Sequence, residues 1–454
     1  MRTSAIGKKF RQDIKGKNVL VFGLGVLGRG LKDALYLYKC GANVRVTDLK
    51  SEAELATSVK KLKKYPKIKL ILGEHRQEDF LWSDIIIKNA GVRPDSVWMK
   101  FANDNGKKIL MDESLFMKYA NCLTIGVTGT KGKSTVTGLI YKILKNHDHN
   151  NTFLGGNVLG LATLPLLDKI NSDSKVVLEL SSWQLQGFKD IKKSPNISVF
   201  TNIYPDHLNY YKSMKDYLAD KKNIFLCQTK NDYLLINDYQ KEVKGFKNQT
   251  LAKTLYFKGN KYKDWKRKII GGHNLTNIAA AVEVAKILAV PEKTIIKGVA
   301  EYEGEKYRLQ LVGYNKKTDI KFVNDSAATT VVSLIAALKA VALDSKRKTV
   351  LIFGGSDKNV DWRDIGLPLK KFCRSLVIIN GSATDKILAV MKKAKIKLPY
   401  TIVNSMSEAV KTASEMAEKG DVVLLSPGCA SFGVFKNEFD RGEKFNRYVK
   451  KYVN

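Results

Sequence analysis

Cysteine is scarce and scattered: Cys40, Cys122, Cys227, Cys373 and Cys429 include no Cys-x-x-Cys pair. That spacing argues against a disulfide framework or a structural zinc site and fits a reducing cytoplasm. No apolar run approaches the ~20 residues that span a bilayer. The polar, basic start from Met1 to Lys17 lacks the apolar stretch of a signal peptide. A cytoplasmic protein without membrane insertion is the expectation. Acidic residues are also short, with 44 Asp and Glu against 78 Lys and Arg, a formal net charge of +34. The surplus is mostly lysine spread along the chain, as at Lys60–Lys61, Lys221–Lys222 and Lys370–Lys371, with no basic tail. Such a surplus favours partners bearing phosphates or carboxylates, and it is equally the pattern of a solvated, lysine-biased surface.

What the sequence does contain is enough apolar material for real cores, 44% hydrophobic against 27% charged residues. At roughly 100–200 residues per domain, 454 residues make two to four domains. Short apolar runs at Asn18–Phe22, Asn43–Thr47, Lys69–Leu72 and Asp84–Lys88 read as strands, with a helix over Leu31–Cys40. A second series begins with strand Cys122–Val127 and helix Thr135–Asn146. It continues through strands Lys175–Leu180, Ile197–Thr201 and Tyr233–Ile236, a helical stretch Met214–Cys227 and a long Ala-rich helix Leu275–Leu288. After the polar turn Glu301–Lys306 the alternation restarts, with strands Lys321–Asn324, Thr349–Phe353, Ser375–Ile379, Tyr400–Val403 and Val422–Leu425 and a helix Val331–Val341. This rhythm predicts α/β architecture with parallel sheets. We place three domains at 1–121, 122–305 and 306–454: a Rossmann-like first domain, a central phosphate-loop domain and a Rossmann-like third domain. No internal repeat stands out.

The strongest chemical signal is Gly126-Val-Thr-Gly-Thr-Lys-Gly-Lys-Ser-Thr135, between a buried strand and a helix. The common phosphate loop needs a glycine where this chain has Val127, so the strict pattern fails. Gly129 and Gly132 still let backbone N–H groups face phosphate oxygens, and the helix start adds partial positive charge. Lys133 suits the β- and γ-phosphates and Ser134 suits Mg²⁺, so the central domain is expected to bind a nucleoside triphosphate. Gly23-Leu-Gly-Val-Leu-Gly28 also follows a strand, with Asp48 at a later strand end. It matches a dinucleotide fingerprint, although a tight turn without ligand gives the same pattern. Glu179 lies inside an apolar strand, where a carboxylate is costly unless paired or metal-bound. His207, one of only five histidines, follows Asp206 just past another strand and is a candidate metal or phosphate contact. Lys221 sits in a stretch that reads as an ordinary helix with an exposed charged face. The charge and the phosphate loop together raise a nucleic-acid-dependent ATPase as an alternative. No helicase-type motif series and no basic–aromatic interleaving support it, and nucleic acid is not expected as a partner.

These motifs occur in one order with Gly272-His273-Asn274, Tyr307-Arg308, Asn324-Asp325-Ser326, Gly354-Gly-Ser-Asp-Lys358, Ser426-Pro-Gly-Cys-Ala-Ser-Phe432 and Asp440-Arg-Gly442. The set resembles the Mur ligases, ATP-dependent amide-bond ligases of peptidoglycan precursor synthesis. Within that family the tail is most like members that add glutamate to UDP-N-acetylmuramoyl-L-alanine. The resemblance implies a cytoplasmic, monomeric enzyme whose partners are small molecules: UDP-N-acetylmuramoyl-L-alanine, D-glutamate and ATP. It implies Gly23, Gly25, Gly28, Asp48 and Asn157 for the UDP-sugar. For ATP it implies Gly129, Thr130, Lys131, Gly132, Lys133, Ser134, Thr135, Asn274, Arg308 and Asp325. Lys133, Glu179, His207 and Lys221 would be catalytic, with Ser134, Glu179, His207 and a carbamylated Lys221 around two Mg²⁺ ions. Thr329, Lys358, Ser431 and Phe432 match positions that receive the amino acid. The chain reads Asp325-Ser-Ala-Ala-Thr329 where glutamate-adding relatives commonly read Asp-Ser-Lys-Ala-Thr, so Ala327 removes a cation and leaves a sister ligase using another amino acid, such as L-glutamate, as the alternative. Asn437 is followed by Glu438 where many relatives place an aromatic residue.

Overall fold

The computed structural model describes residues 3–453 apart from 27, 159, 208–209, 346, 358–360 and 432–434, and apart from the side chains of 344 and 345. Lys358 and Phe432 therefore lie outside the described residues. The chain forms two compact units, Met1–Lys258 with Asn277–Ile295, and Gly259–Thr276 with Ile296–Asn454.

The first unit holds two sheets. Strands β1 (Asn18–Phe22), β2 (Asn43–Asp48), β3 (Lys69–Leu72), β4 (Ile85–Lys88) and β5 (Lys108–Leu110) are all parallel, in the order β3-β2-β1-β4-β5. Strands β6 (Leu123–Thr128), β7 (Thr152–Gly156), β8 (Lys175–Glu179), β9 (Ile197–Phe200), β10 (Tyr233–Asn237) and β11 (Lys253–Phe257) form a second parallel sheet, in the order β11-β10-β9-β6-β8-β7. Strands covered on both faces must be apolar throughout. Accordingly Ile125, Val127, Val176, Val177, Leu178 and Val199 are all fully buried.

The two sheets share one core, and the N-terminal helix Ala5–Ile14 fastens them. Its cap, Ser4, accepts from Gly7 N and donates its hydroxyl to the Leu167 carbonyl at 2.7 Å. Phe10 and Ile14 are buried in the core beneath it, and Arg11 pairs with Asp168 at 2.5 Å.

The second unit carries β12 (Gln310–Asn315), β13 (Ile320–Asn324), β14 (Thr349–Gly354), β15 (Cys373–Ile379), β16 (Tyr400–Val403) and β17 (Val422–Leu425), in the order β12-β13-β17-β14-β15-β16. β12 runs antiparallel to β13 and the other pairs are parallel.

The α/β reading holds for all three sheets, but four strands were not read from the sequence: β5, β7, β11 and β12. All four lie at sheet edges. An edge strand buries less of its surface, and β11 and β12 are mostly exposed or half-buried, so neither shows a continuous apolar run. The helix expected over Met214–Cys227 stops at Lys222, and turns carry the chain on to Gln228. Among the described residues no helix is long and apolar enough to cross a membrane.

Candidate active site

The phosphate loop, Glu179 and His207 lie at or beyond the carboxyl ends of the parallel strands β6, β8 and β9, where open α/β sheets place their ligands. β6 runs between β8 and β9 and delivers the phosphate loop into helix Lys133–His147. Two glycines make the loop possible. Gly129 has φ 139°, and a Cβ there would lie 2.0 Å from Thr201 Oγ1; Gly132 has φ 82°, and a Cβ would lie 2.6 Å from Asn277 Oδ1. The loop is pinned from the neighbouring strand: Thr130 N donates to Asn202 O at 2.9 Å and Lys131 N to Asn202 Oδ1 at 2.8 Å. Lys133 folds back over the loop and donates to the carbonyls of Gly129 and Thr130 at 3.1 and 3.0 Å. Ser134 and Thr135 lie half-buried in the first helical turn. Lys131 reaches outward to Asp206 at 3.2 Å.

Lys221 contradicts its plain helical reading, because it is 1% exposed. Its Nζ donates to the Gly129 carbonyl at 2.8 Å and lies 4.7 Å from the Tyr217 ring centre. Burial, and then the Lys133 cation, push its ammonium well below the ordinary lysine range. His207 has φ 55°, a left-handed conformation costly for a residue with a side chain and typical of functional loops. Its ring packs 4.9 Å from Trp183 and 6.0 Å from Tyr217, and burial holds its pKa below the ordinary value. Glu179, 4% exposed at the end of β8, accepts from Asn157 Nδ2 at 3.3 Å. The structure thus brings Asn157 beside Glu179, and Lys221 beside the phosphate loop. Among the described residues no three His, Cys, Asp or Glu side chains converge as a metal cage.

In the first sheet, Asp48 turns back on the glycine turn. Its Oδ2 accepts from Leu24 N and Gly25 N at 2.8 and 2.9 Å, and its Oδ1 accepts from Lys50 N. The acid that the sequence reading assigned to a ligand braces the loop. Gly23, Gly25 and Gly28 all have positive φ, and Gly28 caps helix Arg29–Lys39.

In the second unit, Asn274 Nδ2 donates to the Ile270 carbonyl at 2.7 Å. Arg308 stands between two residues in left-handed conformations, Tyr307 at φ 63° and Leu309 at φ 44°. Asp325 grips that turn, accepting from Leu309 N at 3.2 Å and from Ser426 Oγ at 2.9 Å, and burial raises its carboxyl to about 7. Thr329 is half-buried beyond the Asp325 turn and Ser431 is buried. The sequence reading assigned no role to Arg441, which is fully buried, has no carboxylate partner among the described residues, and donates to Ser326 Oγ, Ser326 O and Cys429 O. It also missed Asn202, although the position just past β9 marks it once the strand order is known.

Comparison with known proteins gives the same picture. Residues 17–111 match the Mur ligase MurD-like N-terminal domain, 127–268 the Mur ligase middle domain and 307–429 the Mur ligase glutamate ligase domain. The UDP-N-acetylmuramoylalanine--D-glutamate ligase of Borreliella afzelii (strain PKo) is 36% identical, over 96% of this chain and 98% of that protein. The protein of the same name from Roseiflexus sp. (strain RS-1) is 34% identical, over 97% of this chain and all 100% of that one. Among solved structures, the UDP-N-acetylmuramate-alanine ligase of Thermotoga maritima shares the fold at TM-score 0.58 and 19% identity, covering 96% of this chain and 99% of that one. With a phosphate loop braced by Asn202 and Lys221, three α/β sheets and family matches along most of its length, the chain belongs to the Mur ligases.

Proposed function

We propose that this chain joins D-glutamate to UDP-N-acetylmuramoyl-L-alanine at the expense of ATP, as a cytoplasmic monomer. The observation that carries the reading is similarity along nearly the whole chain to relatives bearing that activity in their names. We assign the UDP-sugar to residues 1–121, ATP to 122–305 and the amino acid to 306–454, with Lys358 and Phe432 among the amino-acid contacts.

A carboxylate does not condense with an amine in water, because hydroxide is a poor leaving group. Transfer of the γ-phosphoryl group to the alanyl carboxylate gives an acyl phosphate. The glutamate amine then attacks the acyl carbon, and inorganic phosphate leaves. The transferred group needs charge neutralisation and alignment more than a protein nucleophile. Lys133 and the loop N–H groups supply the first, and Asn157 orients the muramoyl end. Arg308, Asn274 and Asp325 contact the nucleotide.

The donor set fits Mg²⁺, a hard cation that takes oxygen ligands and keeps phosphate oxygens in its shell. Ser134 offers a hydroxyl and Glu179 a buried carboxylate, and His207 stands nearby. The buried Lys221 also fits carbamylation, since a lysine held neutral is the form that attacks carbon dioxide, and the product carries carboxylate-like oxygens. Bound Mg²⁺ would neutralise charge on the transferring phosphoryl group.

Phosphate release is the test, measured with ATP, Mg²⁺ and UDP-N-acetylmuramoyl-L-alanine in parallel with D-glutamate and L-glutamate. Release with D-glutamate alone is expected. Ala327 favours the second reading, in which L-glutamate or another amino acid is used, and release with L-glutamate alone would establish it. Silence with both would overturn the proposed amino acid.

A further inference from the structure

Arg29 opens helix Arg29–Lys39, directly after the glycine turn, and the first turn of that helix carries no acidic residue. A cation at a helix start opposes the helix dipole, so the position is accounted for by tertiary partners. The guanidinium forks: NH1 donates to Glu113 Oε1 at 2.6 Å and NH2 donates to the Gly156 carbonyl at 2.9 Å. Glu113 is completely buried, and its same Oε1 accepts from Gln184 Nε2 at 2.5 Å. Gln184 Oε1 in turn accepts from Ser181 N at 2.9 Å.

These contacts reach both flanks of Glu179. On one side, Gly156 at φ 82° presses on the Glu179 backbone so closely that a Cβ would lie 2.1 Å from its carbonyl oxygen. There Asn157 N donates to Glu179 O at 2.7 Å and Asn157 Nδ2 to Glu179 Oε1 at 3.3 Å. On the other side, Ser181 and Gln184 cap helix Ser182–Ile191, which starts just after Glu179. A guanidinium can make two directed bonds at once where an ammonium is a point charge. The same side chain leaves the glycine turn of the first sheet and ends on the loop that carries Asn157.

We propose that Arg29 is a positioning residue for the ligase reaction: with Glu113 and Gln184 it fixes the Asn157–Glu179 pair against the glycine turn, so that the two ends of the UDP-sugar site keep one spacing. The inference rests on the reading above that Asn157 meets the muramoyl group and Glu179 the metal.

Arg29→Lys tests it, because lysine keeps the charge beside Glu113 and loses the fork. The readouts are the KM for UDP-N-acetylmuramoyl-L-alanine, the Mg²⁺ concentration at half-maximal rate, and Mg²⁺-dependent ATP binding by calorimetry. Groups that orient a metal ligand commonly matter by 10–100-fold. Arg29→Lys is expected to raise the KM and the half-saturating Mg²⁺ about tenfold, while the melting temperature and metal-free ATP affinity stay near wild type. Arg29→Leu with Glu113→Leu removes the 2.6 Å ion pair as a unit, a change that buried pairs often tolerate; it leaves Asp112, 3.7 Å from the Arg29 guanidinium, without that cation, and should show the same shifts. Wild-type KM and Mg²⁺ requirement in Arg29→Lys would overturn the proposal whether or not the double variant folds. If the wild-type chain released no phosphate with any amino acid, the ligase reading would fall by itself. The Mg²⁺ dependence of ATP binding would then decide the role of Arg29: a tenfold shift in Arg29→Lys supports it, and no shift overturns it.

Discussion

Lys221 Nζ donates to the carbonyl of Gly129 across 2.8 Å, tying helix Met214–Lys222 to the first glycine of the phosphate loop. Among the described residues no carboxylate hydrogen-bonds or pairs with it, and burial and Lys133 together disfavour its cationic form. That setting shifts the balance from ammonium towards the neutral amine. Incubation with ¹³C-bicarbonate should give a carbamate signal by NMR that Lys221→Ala lacks, and the variant should lose at least about a hundredfold in phosphate release. A fully active Lys221→Ala would remove Lys221 from the chemistry.

Asp325 sets a pH dependence of stability. Its carboxyl is raised to about 7 from an ordinary value of 3.8, first by burial. The folded chain therefore holds this proton more tightly than the unfolded chain. Its contribution is fully present below about pH 4 and is lost as pH climbs to about 7. Asp325→Asn has no proton to lose, and its amide can still accept from Leu309 N and donate to Ser426 Oγ. Its melting temperature should gain on wild type by at least about 4 °C between pH 5 and pH 8, with weaker nucleotide binding as the cost. A constant difference across that range would show that Asp325 does not titrate there.

The phosphate loop was legible in the sequence because its whole physical logic is local: a buried strand, two glycines, and Lys-Ser at a helix start. The three sheets were legible for a similar reason, since parallel strands buried on both faces write themselves as apolar runs. Lys221 was not, because nothing in its helix distinguishes a lysine facing water from one facing Gly129, which lies 92 residues away. Arg29 and Glu113, 84 residues apart, escaped for the same reason. Asp48 was assigned to the UDP-sugar, and nothing in its spacing shows that its carboxylate spends acceptors on the glycine turn itself.

The N-terminal helix separates apolar anchoring from ion pairing. Phe10 is fully buried, with the Tyr119 ring edge-on at 5.0 Å and the Tyr36 ring stacked at 5.7 Å. Phe10→Ala should cost about 3–5 kcal/mol in denaturant unfolding. Arg11 and Asp168 form a good pair, but their side chains are 32% and 24% exposed, and solvent screening limits such pairs to about 1 kcal/mol or less. Arg11→Ala should therefore fall well short of Phe10→Ala, and equal losses would mean that the pair, not the ring, fastens the helix.

Ala327 offers the sharpest test of amino-acid recognition. The backbone around it is held firmly: Arg441 donates to both the hydroxyl and the carbonyl of Ser326, and Ala327 N donates to the Tyr307 carbonyl at 3.0 Å. A side chain introduced at 327 therefore starts from a fixed Cα, and the half-burial of Ala327 leaves it a route outward. Placing a cation there should help only if the substrate's carboxylate comes close, because a charge-assisted contact falls away quickly with distance and solvent. Ala327→Lys is expected to lower the KM for D-glutamate about tenfold with little change in the KM for ATP, in steady-state phosphate release at low salt. An unchanged glutamate KM would place the amino acid elsewhere, and a loss of ATP affinity would show that the substitution disturbs Asp325, two residues before it.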